Sequence, residues 1–240
     1  VADGYHPPVE EYLEAISELA DEGTPVIQAR IAERLGRSAP SVSEMLDRLV
    51  EEGFVRRQGR VIELTGAGRR VADSVVRKHR LAERLLVDII GLPWHLAHQE
   101  AGRWEHVISD EVEARLVEVL GNPSTCPHGN PIPGAAPPSE PQVPLSAVGP
   151  GETVRLERIT EAVEFDLPTL RYLDEHGLVP GRELAVLERS PDGTLTVAHP
   201  GGQAALGPGL CGQLYVSRPP AGRAEGSPVA ELGRALGAAR

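Results

Sequence analysis

The sequence predicts a mainly α-helical chain with a small β domain: a winged helix-turn-helix unit, a pair of longer helices rich in histidine and glutamate, and a C-terminal β-barrel. Three observations predict it. Apolar residues recur at helical spacing through residues 10–120, nine prolines crowd the thirty positions 121–150, and short alternating strands with glycine turns follow. At 240 residues with 40% hydrophobic content, the chain is long enough for more than one core.

Residues 10–20, EEYLEAISELA, place Leu13, Ile16 and Leu19 on one face of an amphipathic helix ended by Gly23 and Pro25. A short helix from Ile27 to Leu35 stops at Gly36, and Ser38 then offers an N-cap, with Pro40 in the first turn of a helix running to about Glu52. The pair IAERLG and SVSEMLDRLVEEG has helix-turn-helix spacing, with Ala32, Leu35, Val42, Met45, Leu46 and Leu49 packing the two helices together. FVRR and VIEL flank Gln58-Gly59-Arg60 and predict a hairpin wing. Two longer helices are expected from Gly68 to Ile90 and from Leu96 to Leu120, separated by Gly91-Leu-Pro93. Their surplus of apolar residues, Trp104, Val107, Val112, Leu116 and Val119 among them, predicts a homodimer interface. TVRLERI, ELAVLER, TLTVAH and QLYVSR read as strands, and Pro168–His176 as the one helix among them. The expected domains are 1–66 (winged helix-turn-helix), 67–134 (helical, metal-binding and dimerising), 135–150 (proline-rich linker), 151–218 (β-barrel) and 219–240 (disordered tail).

The formal charge of −11 is unevenly spread. Residues 27–80 hold twelve Arg or Lys against seven Asp or Glu, a local +5 that suits salt-dependent binding to double-stranded DNA. Arg37, Ser38, Pro40, Ser41, Ser43 and Glu44 at the recognition helix, with Arg56, Arg57 and Arg60 on the wing, are the candidate DNA contacts. No apolar run approaches a membrane span, and the two cysteines, Cys126 and Cys211, lie far apart in a chain too large to need stapling. With no charged-then-apolar leader at the start, a cytoplasmic location is expected and no membrane partner.

The segment 79–106, HRLAERLLVDIIGLPWHLAHQEAGRWEH, carries four histidines and three glutamates over two consecutive helices. His79 and Glu83, four apart, project from one face, and Gly102, Glu105 and His106 share another. Imidazole with carboxylate suits first-row divalent ions, and ligands drawn from two helices would let an ion pin them together as a switch. Two rival classes are a winged-helix regulator of small organic ligands and a metal-dependent hydrolase. The second lacks a signature such as HExxH, so no enzyme and no organic cofactor is expected.

QARIAERL, VRKHRLAERLL, RWEHVISDEVE and HGNPIPG, in this order of domains, resemble the DtxR/IdeR/MntR metalloregulators. The likeness is dense over residues 9–134. Over 151–217 it is one of architecture, to the SH3-like (FeoA-like) domain of longer members. It implies a homodimeric transcriptional repressor that Fe(II) or Mn(II) turns into its DNA-binding form at palindromic operators of metal-homeostasis genes. Two metal sites per subunit are implied, with Co, Ni or Zn able to substitute in vitro. The primary site maps to Glu11, Gly102, Glu105 and His106, with Glu14 matching a further acid of manganese-type members. The ancillary site maps to His79, Glu83 and His98, completed by Asp166 and Thr169, and the neighbouring anion contacts to Arg80, Cys126 and Asn130. Iron-type members carry methionine and cysteine where this chain has Glu11 and Gly102, and manganese-type members carry acids at both. Close relatives also carry glutamine where Glu44 stands.

Overall fold

In a computed structural model, residues 8–136 and 140–218 are described, and they fold into two compact units. The predicted tail, 219–240, lies outside the described residues.

The first unit draws on residues 8–92, 97–123 and 132–135. Helix α1 (Pro8–Asp21) buries Tyr12, Leu13, Ile16 and Leu19 in a core with Ile31, Val42, Leu46, Leu49, Val55 and Ile62. Helix α2 (Gln28–Leu35) ends where Gly36 turns to φ 60°, a left-handed conformation that glycine adopts without a Cβ penalty. Ser38 then caps α3 (Ala39–Glu51), its hydroxyl accepting from Ser41 N–H at 3.4 Å. Arg34 of α2 is clasped by two acids at the C-terminal end of α1 and just beyond it, reaching Glu18 and Glu22 at 2.9 Å with only 11% of its side chain exposed. Strands β1 (Val55–Gln58) and β2 (Val61–Leu64) pair antiparallel around Gly59 as the expected wing.

Helix α4 (Gly66–Arg84) is capped by Thr65, which accepts from Gly68 N–H at 3.2 Å and donates to Gly53 O at 2.7 Å. Beyond Arg84 the helix does not continue to Ile90 in α form. It widens into a π turn over Leu85–Ile90 and stops at Gly91.

The second long helix expected from Leu96 to Leu120 is broken. A 3-10 turn (Trp94–Leu96) leads into α5 (Ala97–Ala101), residues 102–108 form an irregular turn, and α6 spans Asp110–Val119. The reason is local. Glycine at 102 costs a helix about 1 kcal/mol against alanine, and Ser109 opens a new helix by accepting from Val112 N–H, with Asp110, Glu111 and Glu113 complementing its N-terminal dipole. Leu81, Leu116 and Ile132 then hold α6 to α4, aided by Arg77, which donates to Glu113 at 2.6 Å and to Pro133 O at 2.7 Å.

The second unit is a six-stranded antiparallel sheet in the order β3-β8-β4-β5-β6-β7, packed on its own apolar core. Its strands are β3 (Val143–Pro144), β4 (Thr153–Ile159), β5 (Glu183–Arg189), β6 (Leu195–His199), β7 (Gly202–Leu206) and β8 (Leu214–Ser217), and its helices α7 (Glu161–Glu164), α8 (Leu167–Glu175) and α9 (Pro208–Cys211). Three features depart from the sequence reading, the first being that α7 and α9 join the one helix expected, Pro168–His176. Strand β3 pairs with β8, and Leu145 and Val148 are fully buried, so residues 143–148 belong to this unit and not to a linker. Strand β7, GQAAL, has no β-branched residue to mark it and is recruited by its ladder with β6. Among the described residues no helix is long and apolar enough to cross a membrane.

Gly68 sets where α4 leaves the wing, because a Cβ there would lie 2.1 Å from Phe54 O. Gly68→Ala is expected to cost about 1–3 kcal/mol, in the manner of an overpacked core, read as a lowered urea midpoint with unchanged m-value.

Candidate metal centres

Four elements of the first unit converge on two adjoining clusters of imidazole and carboxylate. In the first, His79 and Glu83 stand one turn apart on α4 and His98 comes from α5. His79 Nε2 lies 3.2 Å from Glu83 Oε1 and 3.0 Å from His98 Nδ1, and His98 Nδ1 lies 3.2 Å from the same Glu83 oxygen. All three residues are buried, Glu83 completely. In the second, one ligand atom each of Glu14, Glu105 and His106 lie within 4.8 Å of one another. Glu14 belongs to α1, while Glu105 and His106 lie in the turn opened by Gly102.

The clusters share an edge. His79 presents Nδ1 to Glu105 Oε2 and Nε2 to Glu83 and His98, so one ring faces both groups. Glu105 in turn places Oε1 3.1 Å from His106 Nε2. Burial of the His79 ring disfavours its charge, yet the Glu105 and Glu83 carboxylates outweigh it and hold its pKa well above the ordinary histidine value. Burial alone would raise the Glu105 pKa, but His79 and His106 bring it down to about 2. His106 is likewise raised against its burial, by Glu105 and then by Glu10.

The sequence-assigned primary residues are not all gathered as expected. Glu105 and His106 meet, and Glu14 joins them. Glu11, expected as the α1 ligand, reaches toward Arg37 at 3.7 Å. Another α1 acid, Glu10, is bonded to His106, its Oε2 2.7 Å from Nδ1. The sequence reading missed Glu10. The signal was available, since Glu10 and Glu14 are four apart and share a helical face. Gly102 has room to spare: a Cβ there would find nothing nearer than His98 O at 3.7 Å, so the missing side chain is not forced by crowding. His95 pairs with Asp174 at 2.6 Å, and Glu100 accepts from Trp104 Nε1 at 3.1 Å.

In the β unit, Asp166 caps α8, accepting from Thr169 N–H at 3.4 Å and from the Thr169 hydroxyl at 2.6 Å. The buried carboxylates of that region are Glu161 and Glu164, and His128 Nδ1 lies 3.0 Å from Glu164. Cys126 and Asn130 are buried in the same unit, joined by a backbone hydrogen bond of 2.9 Å, and the Asn130 amide donates to Ile159 O and to Glu164. Arg80 is buried on α4.

At the candidate DNA face, Ser38, Pro40, Ser41 and Glu44 are exposed at the start of α3, and Ser43 is partly covered. Arg56 pairs with Glu63 at 2.7 Å and Arg57 with Asp47 at 2.9 Å, while Arg60 is exposed in the wing turn.

Residues 6–60 match the profile of the iron dependent repressor N-terminal DNA binding domain, 65–134 that of the iron dependent repressor metal binding and dimerisation domain, and 143–218 the FeoA domain. The chain belongs to the iron-dependent repressor family. It is 45% identical over 204 residues to the iron-dependent repressor IdeR of Mycobacterium leprae, covering 80% of this chain and 88% of that protein. To the diphtheria toxin repressor of Corynebacterium diphtheriae it is 42% identical over 207 residues, covering 82% and 91%. Among solved structures, a manganese-dependent transcriptional repressor in complex with manganese matches with a TM-score of 0.79 at 36% identity, covering 88% of this chain and all of that one. Iron-named and manganese-named members of the family thus both resemble it. The resemblance read from QARIAERL, RWEHVISDEVE and HGNPIPG holds, as does the fold class it implied.

The donor sets fit a divalent cation, since carboxylates and imidazoles converge in two groups and most of them are buried. The metal-free chain therefore has a pH window of its own. The raised His79 pKa contributes stability in full below about pH 6.5, lost as pH rises through the folded-state value. The depressed Glu105 contributes stability that is lost as pH falls from the usual carboxylate range toward about 2. Thermal unfolding of metal-free protein across pH should show both flanks, and Glu105→Gln should flatten them.

Proposed function

We propose that this repressor-family chain is a homodimeric, metal-dependent transcriptional repressor that Mn(II) or Fe(II) activates to bind palindromic operator DNA of metal-homeostasis genes. The observation that carries the reading is the convergence of Glu14 from α1 with Glu105 and His106 from the helical metal-binding region. A bound ion would neutralise the facing carboxylates and hold them together. Glu14, Glu105 and His106 would hold it in the primary site, and His79, Glu83 and His98 would hold another in the ancillary site.

The donors favour hard or borderline cations. Carboxylate oxygens from Glu14 and Glu105, one imidazole and a backbone carbonyl at Gly102 suit Mn(II) or Fe(II), with no thiolate among the side chains that converge at the primary group. Both acids of the α1 pair remain candidates, Glu14 by position in the cluster and Glu11 by its place in the family pattern. Dimerisation is supported by Ile89, Ile90, Val107, Val112 and Val119, which stay 49–65% exposed within the region matching the dimerisation domain. Two recognition helices related by a twofold axis would then address a palindromic site.

Metal and DNA select the same arrangement of α1, so each raises the affinity of the other by the same factor. His106→Ala should remove the metal-dependent gain in operator affinity, about 5–150-fold for a coupling of this kind, while leaving the dimer intact. Fluorescence anisotropy of an operator duplex titrated with Mn(II) or anaerobic Fe(II) reads this, and unchanged affinity overturns the reading.

Glu44 generates a second prediction. It is exposed on the second turn of α3, and no hydrogen bond or ion pair engages it among the described residues. A carboxylate can only accept, so the groove partner it suits is the N4 amine of cytosine. Glu44→Gln should move one operator position from cytosine toward adenine with about 1–3 kcal/mol of changed discrimination, measured by selection from a randomised duplex pool.

A further inference from the structure

We propose that Glu10 is a positioning residue of the primary centre, its carboxylate accepting from His106 Nδ1–H and thereby presenting Nε2 as the nitrogen that faces the ligand cluster. The inference rests on the metal-site reading above and assigns a role to a residue one position away from the acid the family pattern points to.

An imidazole that binds a cation gives one nitrogen lone pair to it, and the other nitrogen then carries the proton and needs an acceptor. Both nitrogens of His106 are accounted for in these terms. Nδ1 lies 2.7 Å from Glu10 Oε2, and Nε2 lies 3.1 Å from Glu105 Oε1. The ring has no freedom to reverse the assignment cheaply, since only 1% of the His106 side chain is exposed. The Glu10 side chain is 33% exposed, sits in the first turn of α1, and lines a cavity of about 420 Å³ together with Arg70, Ser74 and Lys78.

The same bond has a mechanical consequence. Glu10 and Glu14 occupy successive turns of one face of α1, so Glu10 holds α1 beside the turn carrying Glu105 and His106 before any cation arrives. A preset ring and a preset helix reduce the ordering that binding must otherwise impose.

The rival assignment makes Glu10 a direct ligand, and conservative substitution separates the two. A glutamine keeps an oxygen acceptor for Nδ1–H but is a far poorer cation donor than a carboxylate. Full-length protein is titrated with Mn(II) by isothermal calorimetry, and the Zn(II)-loaded, 15N-histidine-labelled protein is read by NMR. Glu10→Ala should weaken the primary site about 10–100-fold, Glu10→Gln should retain affinity within about threefold of wild type, and the His106 signals should show Nδ1 protonated and Nε2 coordinated. Loss in Glu10→Gln equal to that in Glu10→Ala, an unaffected Glu10→Ala, or coordination through Nδ1 each overturns the proposal. Should Glu10→Ala fail to fold, the Glu10→Gln titration and the wild-type tautomer still decide. If His106→Ala leaves metal affinity unchanged, the metal-site reading itself fails, whatever Glu10 does.

Discussion

The Glu105 carboxylate, buried between two imidazoles, is the interaction on which the rest of the first unit depends. Taking a lone carboxylate out of water costs several kcal/mol, so a buried glutamate at this point is tolerable only because His79 closes on one oxygen and His106 on the other. Each imidazole is drawn from a different place: His79 stands on α4, and His106 follows Glu105 in the turn after α5. The charge balance therefore fixes α4 against that turn, and Glu10 and Glu14 extend the same network onto α1. On the proposed reading, a cation entering between these carboxylates would take over compensation otherwise provided by the rings, so protons and metal would compete for one network.

From α1 the constraint passes to the candidate reading head by packing that is already rigid. Leu13, Ile16 and Leu19 share a core with Ile31 of α2 and with Val42, Leu46 and Leu49 of α3. Arg34 adds a clasp to Glu18 and Glu22, with little of any of the three side chains exposed, so its hydrogen bonds are far less screened than those of a surface pair. Helices α1, α2 and α3 thus behave as one block, and the block meets α4 through the α1 face that carries Glu10 and Glu14 at one end and Ser17, which accepts from Arg69, further along. Whatever fixes the N-terminal turns of α1 fixes the orientation of Ser38 to Glu44 at the start of α3.

What the sequence made legible follows from range. Helix periodicity, glycine stops and serine caps are local, and they located α1 to α3, the start of α4 and the wing within a few residues, while the π turn after Arg84 carried no such mark. The break at Gly102 was visible as a glycine but not as a break, because a single glycine costs about 1 kcal/mol, which tertiary packing often absorbs. Strand β7 escaped because GQAAL owes its form to its neighbour β6. Of the candidate site, His79 with Glu83 and Glu105 with His106 were legible from type and spacing, His98 was singled out by the family resemblance, and the structure brings these residues together. Which α1 acid faces them was not. Adjacent residues on a helix differ by about 100°, so choosing Glu10, Glu11 or Glu14 requires knowing how α1 is rotated against α4, and that rotation is set by the Tyr12, Leu13 and Ile16 core rather than by the acids themselves.

Position 102 ties the metal chemistry to the fold. A side chain would fit there, with 3.7 Å to the nearest backbone oxygen, so the glycine removes a donor without any steric need. On the proposed reading the primary ion is held by fewer protein side chains and retains more of its own water, which lowers affinity and leaves selectivity to the hardness of the remaining oxygens. The glycine also ends α5, and the turn it releases is the one that carries Glu105 and His106 inward to face α1. A residue with higher helix propensity at 102 would favour continuing α5 and rotating both side chains with it. Loss of one donor and placement of two others thus trace to the same missing Cβ, and α1 brings Glu14 to the group those two residues form, with Glu10 against His106 Nδ1.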